Sequence, residues 1–365
     1  MGKIKEFLKR KDISLSLRRY GIDALGAMAQ GLFCTLLIGT ILNTLGAQLN
    51  IGFLKEPIAA GYTIGGLASA MVGPGIAVAI GMALKAPALV LFSLIPVGFA
   101  ANSLGGAGGP LAVYFVAILA CESGKLVSKE TKIDILVTPT VTVLIGIGAA
   151  ALVAGPIGQA ANAVGQAIIW ATELQPFFMG ILVSVLMGIA LTLPISSAAI
   201  CASLGLVGLA GGAAVAGCCA QMVGFAVMSF RENRWGGLVA QGLGTSMLQM
   251  PNIVKNPRIW IPPILTSAIT GPLATCLFRL KMNGAAVNSG MGTCGLCGQI
   301  GVWTGWMTPS EAALAAGEVA MTPGIMDWVG LALICFVLPA VLSLVFCEIL
   351  RKIGWIKEND LKLSL

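Results

Sequence analysis

Long apolar runs broken by short charged clusters set the plan of this chain. Runs at 21–42, 57–84, 86–104, 133–154, 176–193, 210–230, 259–278 and 326–350 come close to or exceed the roughly 20 residues that one helical crossing of a bilayer needs, and 110–121 is a shorter one. Segment 194–209 is short for a regular crossing and opens on Pro194, so it reads as a short or broken one. Segment 236–252 lies between two basic clusters, RENR at 231–234 and Lys255 with Arg258. Both clusters fall on one side only if the chain dips into the membrane there and leaves again.

The stretch 283–305, NGAAVNSGMGTCGLCGQIGVWTG, is uncharged and would suit membrane depth. It also holds Gly284, Gly290, Gly292, Gly295, Gly298, Gly301 and Gly305. Each glycine costs a helix about 1 kcal/mol relative to alanine, so an unbroken helix here would carry a penalty of about 5–7 kcal/mol. Irregular backbone survives at that depth where it is packed in protein or lines a wet cavity. The pattern therefore predicts a second re-entrant hairpin beside a solute site. The expected fold is an all-α polytopic membrane protein of about ten transmembrane helices plus two re-entrant hairpins.

Composition agrees. Of 365 residues 57% are hydrophobic and 10% charged, where a soluble domain carries about 25% charged residues. The formal charge of +7 sits in short clusters between apolar runs, the mark of cytoplasmic loops rather than of nucleic-acid binding. Five parts follow. Residues 1–20 form a basic amphipathic cytoplasmic segment, and 21–154 an N-terminal transmembrane half. Residues 155–175 should lie flat at the outer interface. Residues 176–350 form the transport half with the hairpins, and 351–365 a cytoplasmic tail. Both termini are then cytoplasmic in a multi-pass membrane protein.

The chemistry on offer is neutral. There is no His and no Walker A loop, so the commonest proton relay and nucleotide-driven pumping by this chain are not expected. Cys294 and Cys297 form a CxxC, but a zinc site needs four matched ligands. The motif reads as small-residue packing, with no metal, cofactor or catalytic residue. Three proline breaks supply hydroxyls and amides: Thr138 and Thr140 around Pro139, Ser196 and Ser197 after Pro194, and Gln249 and Asn252 around Pro251. With Asn288 and Thr293 of the glycine-rich stretch they are the candidate substrate-binding residues, because broken helices expose amide and carbonyl groups near the midplane where transporters bind solutes. Carboxylates such as Glu122, Asp134 and Glu318 read as interfacial.

Four motifs carry a resemblance: LPISSAAI at 193–200, GCCAQM at 217–222, PNIVKNP at 251–257 and GMGTCGL at 290–296. Together they resemble the stand-alone EIIC-type membrane proteins of the phosphotransferase system, a branch of glucose-superfamily EIIC-like proteins that includes perfringolysin-regulator-like members. The resemblance implies a bacterial cell (inner) membrane, a homodimer joined through the 21–154 half, a sugar-like solute and an elevator movement of the hairpin-bearing half. It also implies a separate EIIB-type phosphotransferase partner, since no EIIB domain is expected in this chain. The glutamate and histidine of sugar-binding EIIC hairpins have no counterpart in 236–252 or 283–305. The expected function is transport of a small polar solute; the alternative is a membrane-embedded sensor or regulator that binds a solute or partner without net transport.

Overall fold

The computed structural model describes residues 2–14, 16–48 and 50–363. It divides into two compact units, Met1–Ala160 and Ala161–Leu365. Among the described residues the regular structure is helical, with two isolated β-bridges.

In the first unit, α1 (Gly2–Arg10) precedes a long helix α2 (Arg19–Ala47) that contains two π-turns. Helices α3 (Ile64–Ala70) and α4 (Val72–Ala83) are bent by 54° at Met71. Helices α5 (Ala88–Gly105) and α6 (Gly109–Val127) fold back on each other at Gly106, whose φ of 51° suits glycine. Small residues set the packing. A Cβ at Gly73 would sit 2.2 Å from the Gly98 carbonyl oxygen, and one at Gly31 2.5 Å from that of Gly75. Backbones touch in this way at membrane-helix interfaces. The segment after α1 is tied down by Lys125, which donates to the carbonyls of Asp12 (2.7 Å) and Leu84 (3.0 Å) and pairs with Glu122 (3.1 Å).

Helix α7 (Asp134–Thr172) has 39 residues. At 1.5 Å per residue it is about 58 Å long, nearly twice the hydrocarbon thickness of a bilayer. The expected break at 138–140 is absent: the helix runs through Pro139 and also through Pro156, so 155–172 continues α7 instead of starting a new element. Neighbouring helices and local hydroxyls tolerate such prolines in membrane segments.

The second unit is built around α10 (Gly208–Met228), whose most apolar stretch is 89% buried. Helix α8 (Pro176–Thr192) and α13 (Pro257–Leu277) lie against it. A Cβ at Gly217 would fall on the Ser184 carbonyl, and Ser184 Oγ donates to the Ser267 carbonyl at 2.6 Å. The abnormal segment 194–209 contains a two-turn helix, α9 (Ser197–Leu204), capped by Ser196 and ended by left-handed Gly205. The first hairpin has one arm of α11 (Phe230–Val239) with a π-turn to Gly244. The chain is extended at Thr245 (φ −157°), and the return arm runs through the turn Ser246–Gln249 into α12 (Met250–Lys255).

The second hairpin is not one helix. Short 3₁₀ turns at Ala286–Gly290 and Cys294–Leu296 lead into α14 (Cys297–Met307). Its ends are pinned together, with Ser310 N–H donating to the Asn283 carbonyl and Ser310 Oγ to the Gly284 carbonyl, both at 2.8 Å. A last long helix, α15 (Ile325–Lys352), packs on α10 and closes an apolar core of Val215, Met282, Val302, Trp306 and Ile334. Six helices among the described residues are long and apolar enough to cross a membrane, or seven if α3 and α4 make one span; the 40-residue stretch Ala88–Val127 counts once there although it is a folded pair.

Candidate functional site

The two hairpins converge on one face of α10. The π-turn before Thr245 in the first hairpin touches the Cys294–Leu296 turn of the second; that π-turn also lies on α10, as do the Ala286–Gly290 turn and α14 of the second hairpin. The second hairpin beds closely. Gly292 has φ +54°, and a Cβ there would lie 2.8 Å from backbone and side-chain atoms of Cys218. Gly290 abuts Ser197, whose Oγ donates to the Gly290 carbonyl at 2.7 Å.

One turn beyond Cys218 on the same face stands Gln221, fully buried. Its Oε1 accepts from Trp260 Nε1 (2.9 Å) and Thr192 Oγ1 (3.2 Å), and Thr192 Oγ1 shares a 2.8 Å hydrogen bond with Ser246 Oγ at the first hairpin tip. An indole nitrogen donates and never accepts, so Trp260 fixes the orientation of the amide. The Gln221 NH₂ then points away and meets no partner. Three more buried polar atoms of the second hairpin are also unpartnered: Asn283 Oδ1 at its base, Thr293 Oγ1 at its tip, and Gln299 Oε1, the last on a side chain whose Nε2 bonds Cys219 Sγ at 3.1 Å. A buried polar atom without a partner costs about 1–3 kcal/mol, and such atoms are rare in native structures. All of these open groups are uncharged and of the kind that bond hydroxyls and amides; Gln221 and Thr293 lie nearest where Gly292 beds on Cys218, while Gln299 is held at Cys219 on the other side of α10.

The residues singled out in the sequence have diverse fates. Thr293 is fully buried at the second hairpin tip. Asn288 packs over Gly301 in the same hairpin. Ser196 caps α9, and Ser197 ties that helix to the hairpin. Gln249 and Asn252 are spent elsewhere, because their amide nitrogens donate to the Leu361 and Lys362 carbonyls at 3.0 and 2.9 Å. In the first unit, Thr138 Oγ1 donates to Asp134 at the start of α7 (2.6 Å), and Thr140 is exposed. Gln221, Thr192, Ser246 and Trp260 were not singled out, although a lone glutamine in the apolar run 210–230 was a usable signal.

The Glu318 carboxylate braces the base of the second hairpin by pairing with Lys281 (2.8 Å) and accepting from Asn283 Nδ2 (3.4 Å). The CxxC thiols lie buried at the hairpin turn, Cys297 at the start of α14.

Residues 22–363, nearly the whole chain, match the family of phosphotransferase system EIIC components. No curated protein and no solved structure matches the chain. That match settles the family, and the apolar helices agree with it: the chain belongs to the phosphotransferase system EIIC proteins, the membrane-embedded sugar-transport components of that system.

Proposed function

We propose that this chain moves a small uncharged polyhydroxylated solute across a bacterial inner membrane, holding it between the two hairpin tips and α10. The observation that carries this reading is the pair of buried, unpartnered neutral groups Gln221 Nε2 and Thr293 Oγ1, on the stretches of α10 and the second hairpin that meet where Gly292 abuts Cys218. Gln221 and Thr293 are the binding residues, with Thr192, Ser246 and Trp260 orienting Gln221. Ser196, Ser197 and Asn288 hold the second hairpin in place.

We assign ten passes to helices α2, α3 with α4, α5, α6, α7, α8, the segment around the short α9, α10, α13 and α15, with the two hairpins re-entrant; six or seven of these stretches are long and apolar enough to cross on that ground alone. Short basic clusters at the N-terminus, at 231–234 and at 351–357 favour cytoplasmic termini. Transport proceeds by an elevator movement within a homodimer, and a separate EIIB-type protein supplies the phosphoryl group.

The test is Thr293→Val, a change that conserves volume. Removing a buried hydroxyl that has no partner leaves the empty protein as stable as before or more so. Uptake of a sugar panel into proteoliposomes falls at least tenfold. Unchanged uptake with a stable variant rejects Thr293 as a solute ligand and, with it, this pocket.

A further inference from the structure

The first hairpin holds a second ligand of a different kind: the chain's own segment 355–363. After α15 the chain turns at Gly354 (φ +81°) and runs as a strap, with Ile356 and Leu361 buried. Four amide side chains of the hairpin and its flanks grip it by six hydrogen bonds. Asn233 donates to the Leu361 carbonyl (2.8 Å) and accepts from Leu363 N–H (2.8 Å), as a neighbouring β-strand would. Gln249 donates to the same Leu361 carbonyl and Asn252 to that of Lys362. Asn256 donates to the Trp355 carbonyl (3.0 Å) and to Asp360 Oδ2 (2.8 Å). Gln249, Asn252 and Asn256 recur at i, i+3 and i+7, so they line one face of the return arm.

Two features separate this grip from ordinary tail packing. Five of the six bonds go to main-chain atoms of the strap, so recognition rests on extended backbone more than on side-chain identity. The grip also reaches the other arm of the hairpin through a buried amide relay. Gln249 Nε2 donates to Gln241 Oε1 (2.8 Å), and Gln241 Nε2 donates to Ser229 Oγ (2.8 Å). The strap therefore joins both arms of the first hairpin to the end of α15.

We infer that residues 355–363 form a releasable latch on the first hairpin, so that solute access at the Ser246 tip depends on whether the strap is seated. The inference rests on the transport reading above. A hairpin clamped across both arms cannot open at its tip without loosening the relay, and loosening the relay frees the Leu361 carbonyl.

Two full-length variants test it from opposite sides: Asn233→Ala/Asn256→Ala on the hairpin side and Leu361→Asp on the strap. Hydrogen exchange in nanodiscs is expected to rise at least tenfold over both 355–363 and 230–256 in each variant, with α2 unchanged, and sugar uptake in proteoliposomes to change at least twofold. Faster exchange in the strap with none in 230–256 overturns the latch. Faster exchange in both segments with unaltered uptake overturns its control of access. Should the double variant not fold, Leu361→Asp decides the question by the same readings. If both segments loosen yet no solute is taken up even by the parent protein, the clamp on the hairpin stands and the transport reading fails.

Discussion

Replacing Gly292 with alanine tests whether the second hairpin is bedded on α10. The backbone there has φ +54°, a left-handed conformation that costs a residue with a Cβ about 1–2 kcal/mol. The new methyl would also lie 2.8 Å from Cys218 carbonyl carbon and Cβ, and backbone at that distance has no rotamer by which to yield. Overpacking of this kind costs about 1–3 kcal/mol. The sum predicts a loss of about 2–5 kcal/mol. Gly148→Ala is the control: it lies in α7 with nothing within 4 Å of its Cβ position, so the same change should stabilise by up to about 1 kcal/mol. Buried thiols make the assay direct, because Cys218, Cys219 and Cys294 react with a fluorescent maleimide once the core opens. Thiol reactivity followed through a detergent-unfolding titration should move in opposite directions for the two variants. A Gly292→Ala protein that unfolds with its parent would show that the hairpin does not rest on Cys218, and the solute pocket would lose its wall.

Two other changes have calculable outcomes. Arg351 Nη2 meets Glu232 Oε1 at 2.7 Å with both side chains largely buried, so Arg351→Met strands a buried carboxylate and should cost about 3–5 kcal/mol; the double variant with Glu232→Met should recover most of that in the same titration. Acid should loosen the segment after α1. A hydrogen bond from Arg19 holds the Asp12 carboxyl below its ordinary range, so its contribution is present above the ordinary carboxylate pKa and is lost as pH falls through the lowered value. Asp12 is half exposed and the contribution is about 0–1 kcal/mol, so peptic cleavage at the exposed Leu17 should speed up modestly, beyond the protease's own pH dependence, below about pH 4 while the helices persist.

What the sequence revealed depended on range. The apolar helices were legible because hydropathy is a local sum, and the irregular backbone of 284–296 because glycines weigh against a helix there; Gly298, Gly301 and Gly305 nonetheless sit in helix α14, where close packing outweighs their propensity. Pro139 misled because a proline's cost is local while its tolerance is not: a 39-residue helix keeps the rest of its ladder. Gln249 and Asn252 misled for the opposite reason. Their residue types did mark a hydrogen-bonding face, but the partner lies about 110 residues further along the chain and has no motif, since it is bound through its backbone. Gln221 escaped notice because its meaning comes from Trp260, which orients the amide from another helix.

The pocket and the latch share one turn of chain. Ser246, which bonds Thr192 beside Gln221, and Gln249, which bonds the strap, stand at the two ends of a four-residue 3₁₀ turn. At about 2 Å of rise per residue they are separated by roughly 6 Å, too short a span to absorb a displacement by bending. A solute hydroxyl that replaces Ser246 as the partner of Thr192 would release that end of the turn, and Gln249 would follow it away from the Leu361 carbonyl. Coupling of this kind is reciprocal: whatever factor solute binding takes from the seating of the strap, the seated strap takes from solute affinity. The neutral chemistry at the hairpin tips and the main-chain grip at the hairpin's base are then two ends of a single equilibrium.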